Sequence, residues 1–191
     1  MSHWPWMERT FDFSFPVTKW PDIVERLRGT PVRLEEQLRG PPRDVLTRKL
    51  DGGWTIQENA GHLGDLEPLW MGRLEDFLAG KSDLRPADLT NERTFAAGHN
   101  SREIGDLLAQ FRKLRGDHVA RLEALTDDTW SRVAVHPRLR VPMRLVDACY
   151  FAAEHDDYHL ARITRLMRLA GAEIRAKQDI AVRPAHPIGR V

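Results

Sequence analysis

Residues 147–162 read DACYFAAEHDDYHLAR, and the fold turns on this stretch. It reads as helix and sets His155 and His159 four positions apart. A helix turns about 100° per residue, so such positions differ by about 40° and share a face. Back along that face come Ala152 and Ala148, small residues that leave room for a ligand or for close helix packing. Two readings are open. Neutral imidazoles bind a zinc- or nickel-type ion at about 2.0–2.1 Å, which suits this spacing. Alternatively the pair is a coincidence, since the chain holds 8 histidines. The H-E-x-x-H protease motif is absent, because Asp156 stands where that motif has Glu.

The segment around this stretch, 142–170, keeps helical periodicity up to Gly171, a favoured helix terminator. Three earlier segments share that periodicity. Residues 18–39 carry Trp20, Ile23, Val24, Leu27, Leu34 and Leu38, and Pro31 predicts a kink or two pieces. Residues 55–79 come after the turn signal LDGGW, and Thr55 with Glu58 has capping-box spacing. Pro68 predicts a bend there. Residues 101–125 open with Ser101 and repeat Ile104, Leu107, Leu108 and Phe111. Polar connections span 80–100 and 126–141. The best strand candidate is RTFDFSFPV, 9–17, and it is short. The expectation is one all-α domain over 1–191, a four-helix bundle with long connections and a loosely ordered tail at 172–191.

Composition narrows the function. With 191 residues, 41% hydrophobic and 30% charged, the chain reads as a globular protein with a sizeable core. Its apolar runs are short and interrupted, so no membrane span is expected. The start, MSHWPWMERT, lacks a secretory signal. A lone cysteine, Cys149, fits a reducing cytoplasm. A net charge of +1 with interleaved signs argues against nucleic acid as the partner and leaves a small molecule as the expected substrate.

A third ligand would complete the histidine pair. His62 sits well inside the second helical segment among Ala60, Gly61, Leu63 and Gly64, on or beside its buried face. A lone histidine there is usually a packed core residue, but bundles build metal sites from facing helices. His3, His99, His118, His136 and His186 fall in terminal, loop or charged surroundings and are poorer candidates.

The motifs W-T-x-x-E-x-x-x-H-L at 54–63 and E-H-D-x-Y-H-L-x-R-I at 154–163 together resemble the DinB/YfiT-like superfamily. The resemblance covers nearly the whole chain. It implies an up-down-down-up four-helix bundle, often dimeric. It implies that His62, His155 and His159 would ligate one divalent ion, nickel or zinc. Characterised relatives of that family include transferases and isomerases that use mycothiol, bacillithiol or glutathione. The name refers to induction by DNA damage and implies no DNA chemistry.

Three histidines leave a coordination position open. Bound water would become acidic enough to act as a nucleophile in hydrolysis. A bound thiol would be deprotonated outright and attack an electrophile. The resemblance favours the thiol. A non-catalytic metal clamp between two helices is the remaining alternative. Cys149 lies about 120° from the ligand face and reads as a small buried residue. Asp65 and Glu154 are candidates to orient the imidazoles from behind. Glu154, Asp156 and Asp157 point more sideways than the histidines and read otherwise as solvated acids. Arg162 is the nearest basic group for a thiol cofactor, with Arg138, Arg140 and Arg144 as a further basic cluster. Trp70 and Tyr158 read either as pocket wall or as core.

Overall fold

The computed structural model describes residues 4–182. In chain order the helices and strands are α1 (Trp20–Leu38), α2 (Arg43–Thr47), α3 (Ile56–Leu78), α4 (Glu92–Ala96), α5 (Ile104–Glu123), β1 (Val133–Val135), β2 (Pro142–Arg144) and α6 (Leu145–Val182). The four long helices pack in a ring, α1 against α5 and α6, and α3 against the same two.

Side-chain pairs fix the directions. Arg28 meets Glu123 and Glu35 meets Arg112, so α1 and α5 are antiparallel. Arg26 meets Glu154 while Gln37 meets Thr164, so α1 and α6 run parallel. Gln57 meets the Arg102 carbonyl and Glu67 meets Arg115, so α3 and α5 also run parallel. The order is up-down-down-up. Joining two parallel neighbours requires a connection that runs back the full length of the bundle. The polar stretch after α3 is that crossover, and it carries α4.

Two apolar clusters fill the bundle. One holds Ile23, Leu27, Leu74, Phe77, Trp130 and Met143; the other holds Leu34, Leu46, Ile56, Leu63, Phe111 and Ile163. A buried ionic layer lies between them. Arg115 donates from Nε to Glu67 at 2.9 Å and from Nη2 to Asp156 at 3.2 Å. Thr30 Oγ1 donates to Asp156 at 2.8 Å. Each long helix contributes one group to this layer. The reading of Asp156 as a solvated acid is overturned, since it is fully buried.

Pro31 does not split α1, which is continuous. A proline has no N–H for the carbonyl four residues back, here Leu27. Arg115 Nη1 donates to that carbonyl at 3.0 Å and replaces the missing bond. The α3 capping box is present, with the Thr55 side chain accepting from Glu58 N and Glu58 accepting from Thr55 N.

The structure corrects three expectations. The last helix does not end at Gly171 but continues to Val182. Glycine costs a helix only about 1 kcal/mol, and helix formers come after it with no proline before Pro184. The expected tail at 172–191 is therefore helical to Val182, and 183–191 lie outside the described residues. Residues 9–16 form no strand among the described residues. Their alternating Phe11, Phe13 and Phe15 instead pack against the apolar core, where Phe15 meets Tyr150 at 5.1 Å. The strands β1 and β2 arise within and just after the 126–141 connection, as an antiparallel hairpin pairing Ala134 with Met143. Among the described residues no helix is long and apolar enough to cross a membrane.

Candidate metal centre

Helices α3 and α6 are antiparallel neighbours, and His62 on one faces His155 and His159 on the other. All three are buried, and one ligand nitrogen from each lies within 4.8 Å of the others. Nε2 of His155 and Nε2 of His159 are 3.2 Å apart.

Two hydrogen-bond chains orient the rings. Thr94, carried by α4 on the crossover, places Oγ1 2.8 Å from His62 Nδ1. Thr94 donates its own proton to Asp65 Oδ2 at 2.9 Å, so it accepts from His62 Nδ1–H. That tautomer leaves His62 Nε2 with a free lone pair. Asn59 plays the same part for His159. Its Nδ2 donates to the Thr55 carbonyl at 2.7 Å, so its Oδ1 accepts from His159 Nδ1 at 2.9 Å. His159 Nε2 is then also unprotonated and faces His155 Nε2. Neutral His155 can donate its Nε2–H to it, and an ion shared between these nitrogens would take that proton's place. The donor set therefore fits a zinc-type ion.

Electrostatics favour the ligand form. Burial pushes His62 down to about 4, against the opposing pull of Asp65. Burial, with help from neighbouring cations, also holds His155 well below its usual value. Both rings are thus neutral at pH 7, as metal ligation requires. Burial works against the Asp65 charge, but hydrogen bonds from His99 and Thr94 overcome it and keep the carboxylate ionised.

The remaining candidates scatter. Asp65 reaches His62 only through Thr94. Glu154 does not orient His155; it accepts from Arg26 Nη2 at 2.6 Å on the outer face of α6. His155 Nδ1 has no hydrogen-bond partner. Burial drives the Cys149 thiol up to about 12, so it is no nucleophile. Arg162 lines the cavity beside the histidines and donates to Asp51 at 3.0 Å. The cluster of Arg138, Arg140 and Arg144 divides: Arg138 lines the cavity, Arg144 pairs with Asp147, and Arg140 is exposed in the hairpin turn. His99, His118 and His136 are buried rather than in open loop or charged-surface settings, yet none joins the ligand group.

The three histidines sit at the floor of a cavity of about 630 Å³. Trp6, Trp54, Trp70, Phe151 and Tyr158 wall it, so Trp70 and Tyr158 are pocket residues. Trp54 lies against His62, with ring centroids 4.7 Å apart. Among the described lining residues the one carboxylate is Asp88. It is exposed, and its oxygens already accept from Thr90 and the Glu92 N–H.

The sequence reading missed Thr94 and Asn59, which hold the imidazoles. Asn59 had a signal, since it stands three residues before His62 on the same helix face. Thr94 had none, because only the crossover brings it there.

Comparison with known proteins agrees with this architecture. The model of the DinB superfamily matches residues 26–163. A curated relative from Bacillus subtilis (strain 168), "Putative metal-dependent hydrolase YfiT", is 28% identical over 161 residues, covering 80% of this chain and 85% of its own length. A solved structure is similar with a TM-score of 0.74 and 25% identity, covering 86% of this chain and 94% of its own. It is described as "YfiT from Bacillus subtilis is a probable metal-dependent hydrolase with an unusual four-helix bundle topology".

Proposed function

The chain belongs to the DinB superfamily, and from that premise we propose that it is a metal-dependent enzyme acting on a small electrophilic substrate, with His62, His155 and His159 holding one divalent ion. The ion, zinc or nickel by its donor set, would supply an open coordination position and lower the pKa of a bound nucleophile.

The nucleophile we propose is a low-molecular-weight thiol. The carrying observation is that the described cavity residues include no unengaged carboxylate. Asp88 is engaged elsewhere, His62 and His159 have their Nδ1 atoms committed, and His136 has Arg73 at Nε2 and the Leu139 N–H at Nδ1. General-base hydrolysis needs a carboxylate or imidazole within hydrogen-bond reach of the attacking water. A thiol needs none, because ligation alone makes it a thiolate. The chain's own residues then bind and shield. The aromatic walls line the site, and Thr94 and Asn59 fix the imidazoles. Hydrolysis is the second reading, favoured by the description of the Bacillus subtilis relative, and ligated water can act without a separate base.

The test is turnover of 1-chloro-2,4-dinitrobenzene by zinc- or nickel-loaded protein with and without glutathione, mycothiol or bacillithiol. Thioether formation that needs thiol and metal and disappears in His155→Ala is expected. Thiol-independent release of nitrophenol from p-nitrophenyl acetate, with no thioether formed, would replace thiol transfer by hydrolysis.

A further inference from the structure

One corner of the same cavity is rich in donors and holds no acid. Arg73 on α3 is 4% exposed. Its Nε donates to the Arg85 carbonyl at 3.2 Å, its Nη1 lies 3.1 Å from His136 Nε2, and its guanidinium stacks on Trp70 at 5.4 Å. Arg138, in the hairpin turn, is half-buried over the rings of Trp6 and Phe151. Its Nη1 reaches only Met7 Sδ at 3.4 Å, and its Nη2 is buried with no partner. Neither arginine forms an ion pair among the described residues. The nearby carboxylate of Asp76 is occupied by Arg85 and Lys81.

His136 sharpens the imbalance. The Leu139 N–H lies 3.2 Å from its Nδ1 while Arg73 lies at its Nε2. A neutral imidazole accepts at one nitrogen only, so one N–H in this corner faces another N–H. Burying a cation and surplus donors is costly unless an acceptor arrives. Burial, with Asp76 only partly opposing it, lowers Arg73 to about 10. Burial alone lowers Arg138. Elsewhere in the bundle the buried arginine, Arg115, has carboxylates on both sides.

We propose that Arg73, Arg138 and His136 form an anion subsite that holds the carboxylate of a small molecule with an apolar or aromatic stem. The stem would lie along Trp6, Trp70 and Phe151, which lead toward His155; the Trp6 and His155 ring centroids are 5.0 Å apart. Guanidinium groups match a carboxylate in shape and charge. The subsite rests on the proposed reading of the cavity as the place where substrate meets the histidine site, and it assigns one end of that substrate.

The test uses benzoate and its neutral isostere benzamide, titrated into the full-length protein by tryptophan fluorescence. Metal content is measured on the same preparations, so the metal reading is judged separately. Benzoate is expected to bind, benzamide at least tenfold more weakly. Arg138→Gln, chosen because Arg138 is only half-buried, is expected to weaken benzoate at least tenfold with an unchanged melting temperature. Chelator-treated and zinc-loaded wild type are expected to bind benzoate within threefold of each other. No benzoate binding by the wild type, equal binding of benzamide, or unchanged binding in Arg138→Gln would overturn the subsite. So would loss of binding on chelator treatment, which would place the carboxylate on the metal.

Discussion

The hydroxyl of Thr94 lies 2.8 Å from Nδ1 of His62, although 32 residues separate them. It passes the orientation of Asp65 to the imidazole. Outer groups of this kind typically account for about 10–100-fold in metal affinity. Thr94→Val is therefore expected to weaken zinc binding about 10–100-fold, while Thr94→Ser stays close to wild type. Competition with a chromophoric chelator measures this. Equal affinity in Thr94→Val would show that the hydroxyl does not hold the ring in place.

Gly61 is where the crossover seats itself on α3. A Cβ there would lie 2.3 Å from His99 Nδ1. The His99 ring must therefore move in Gly61→Ala, and its 2.8 Å bond to Asp65 is lost. Overpacking of this kind costs about 1–3 kcal/mol. Gly116, exposed on α5 with nothing within 4 Å, is the contrast. Gly116→Ala is expected to stabilise by about 0.5–1 kcal/mol through helix propensity. Urea denaturation of the two variants should show opposite signs.

Arg115 ties the four helices at the centre. Removing one partner of a buried ionic group typically costs about 3–5 kcal/mol, because the remaining charges are stranded. Arg115→Met should lose about that much in urea denaturation. Adding Glu67→Gln and Asp156→Asn to it should recover part of the loss. A triple variant no more stable than Arg115→Met would show that stranded charge is not the cause.

Stability should fall in mild acid. Histidine in an unfolded chain titrates near 6.5. Burial holds His62 at about 4, and burial with Arg73 and Arg138 holds His136 at about 3. Below about pH 6.5 the unfolded state binds more protons than the folded one, so stability rises with pH across this window. It is fully present above 6.5 and drains away as pH falls toward 4. Each such histidine adds a slope of at most about 1.4 kcal/mol per unit. Asp156, whose carboxyl burial pushes up, acts in the opposite sense but is a single group. Urea midpoints of chelator-treated protein near pH 7.5 and pH 5 check this, with the lower midpoint expected at pH 5.

Much of this was legible in the chain. The Thr55–Glu58 box marks the start of α3, and 3.6-residue periodicity marks the four long helices. His155 and His159 are also visible as candidates, because spacing four apart on one helix is a local property, and His62 is visible from its place inside the second helical segment. The features that stayed hidden depend on tertiary partners. Pro31 looks like a break until Arg115 satisfies the Leu27 carbonyl. Gly171 looks like a stop, because the residue type favours termination and nothing local shows that the helix carries on past it. Asp156 looks like a surface acid until Arg115 and Thr30 meet it. Thr94 reaches His62 only because a parallel pair of helices forces a long return, and Arg138 reaches the cavity from the hairpin turn.

The most direct measurement is metal content, by mass spectrometry, of tag-free protein grown with zinc and nickel, beside His62→Ala, His155→Ala and His159→Ala. About one divalent ion per chain is expected in the wild type, lost or greatly weakened in each variant. A wild type without metal, or tight one-to-one binding kept by any two of the variants, would contradict the three-histidine site.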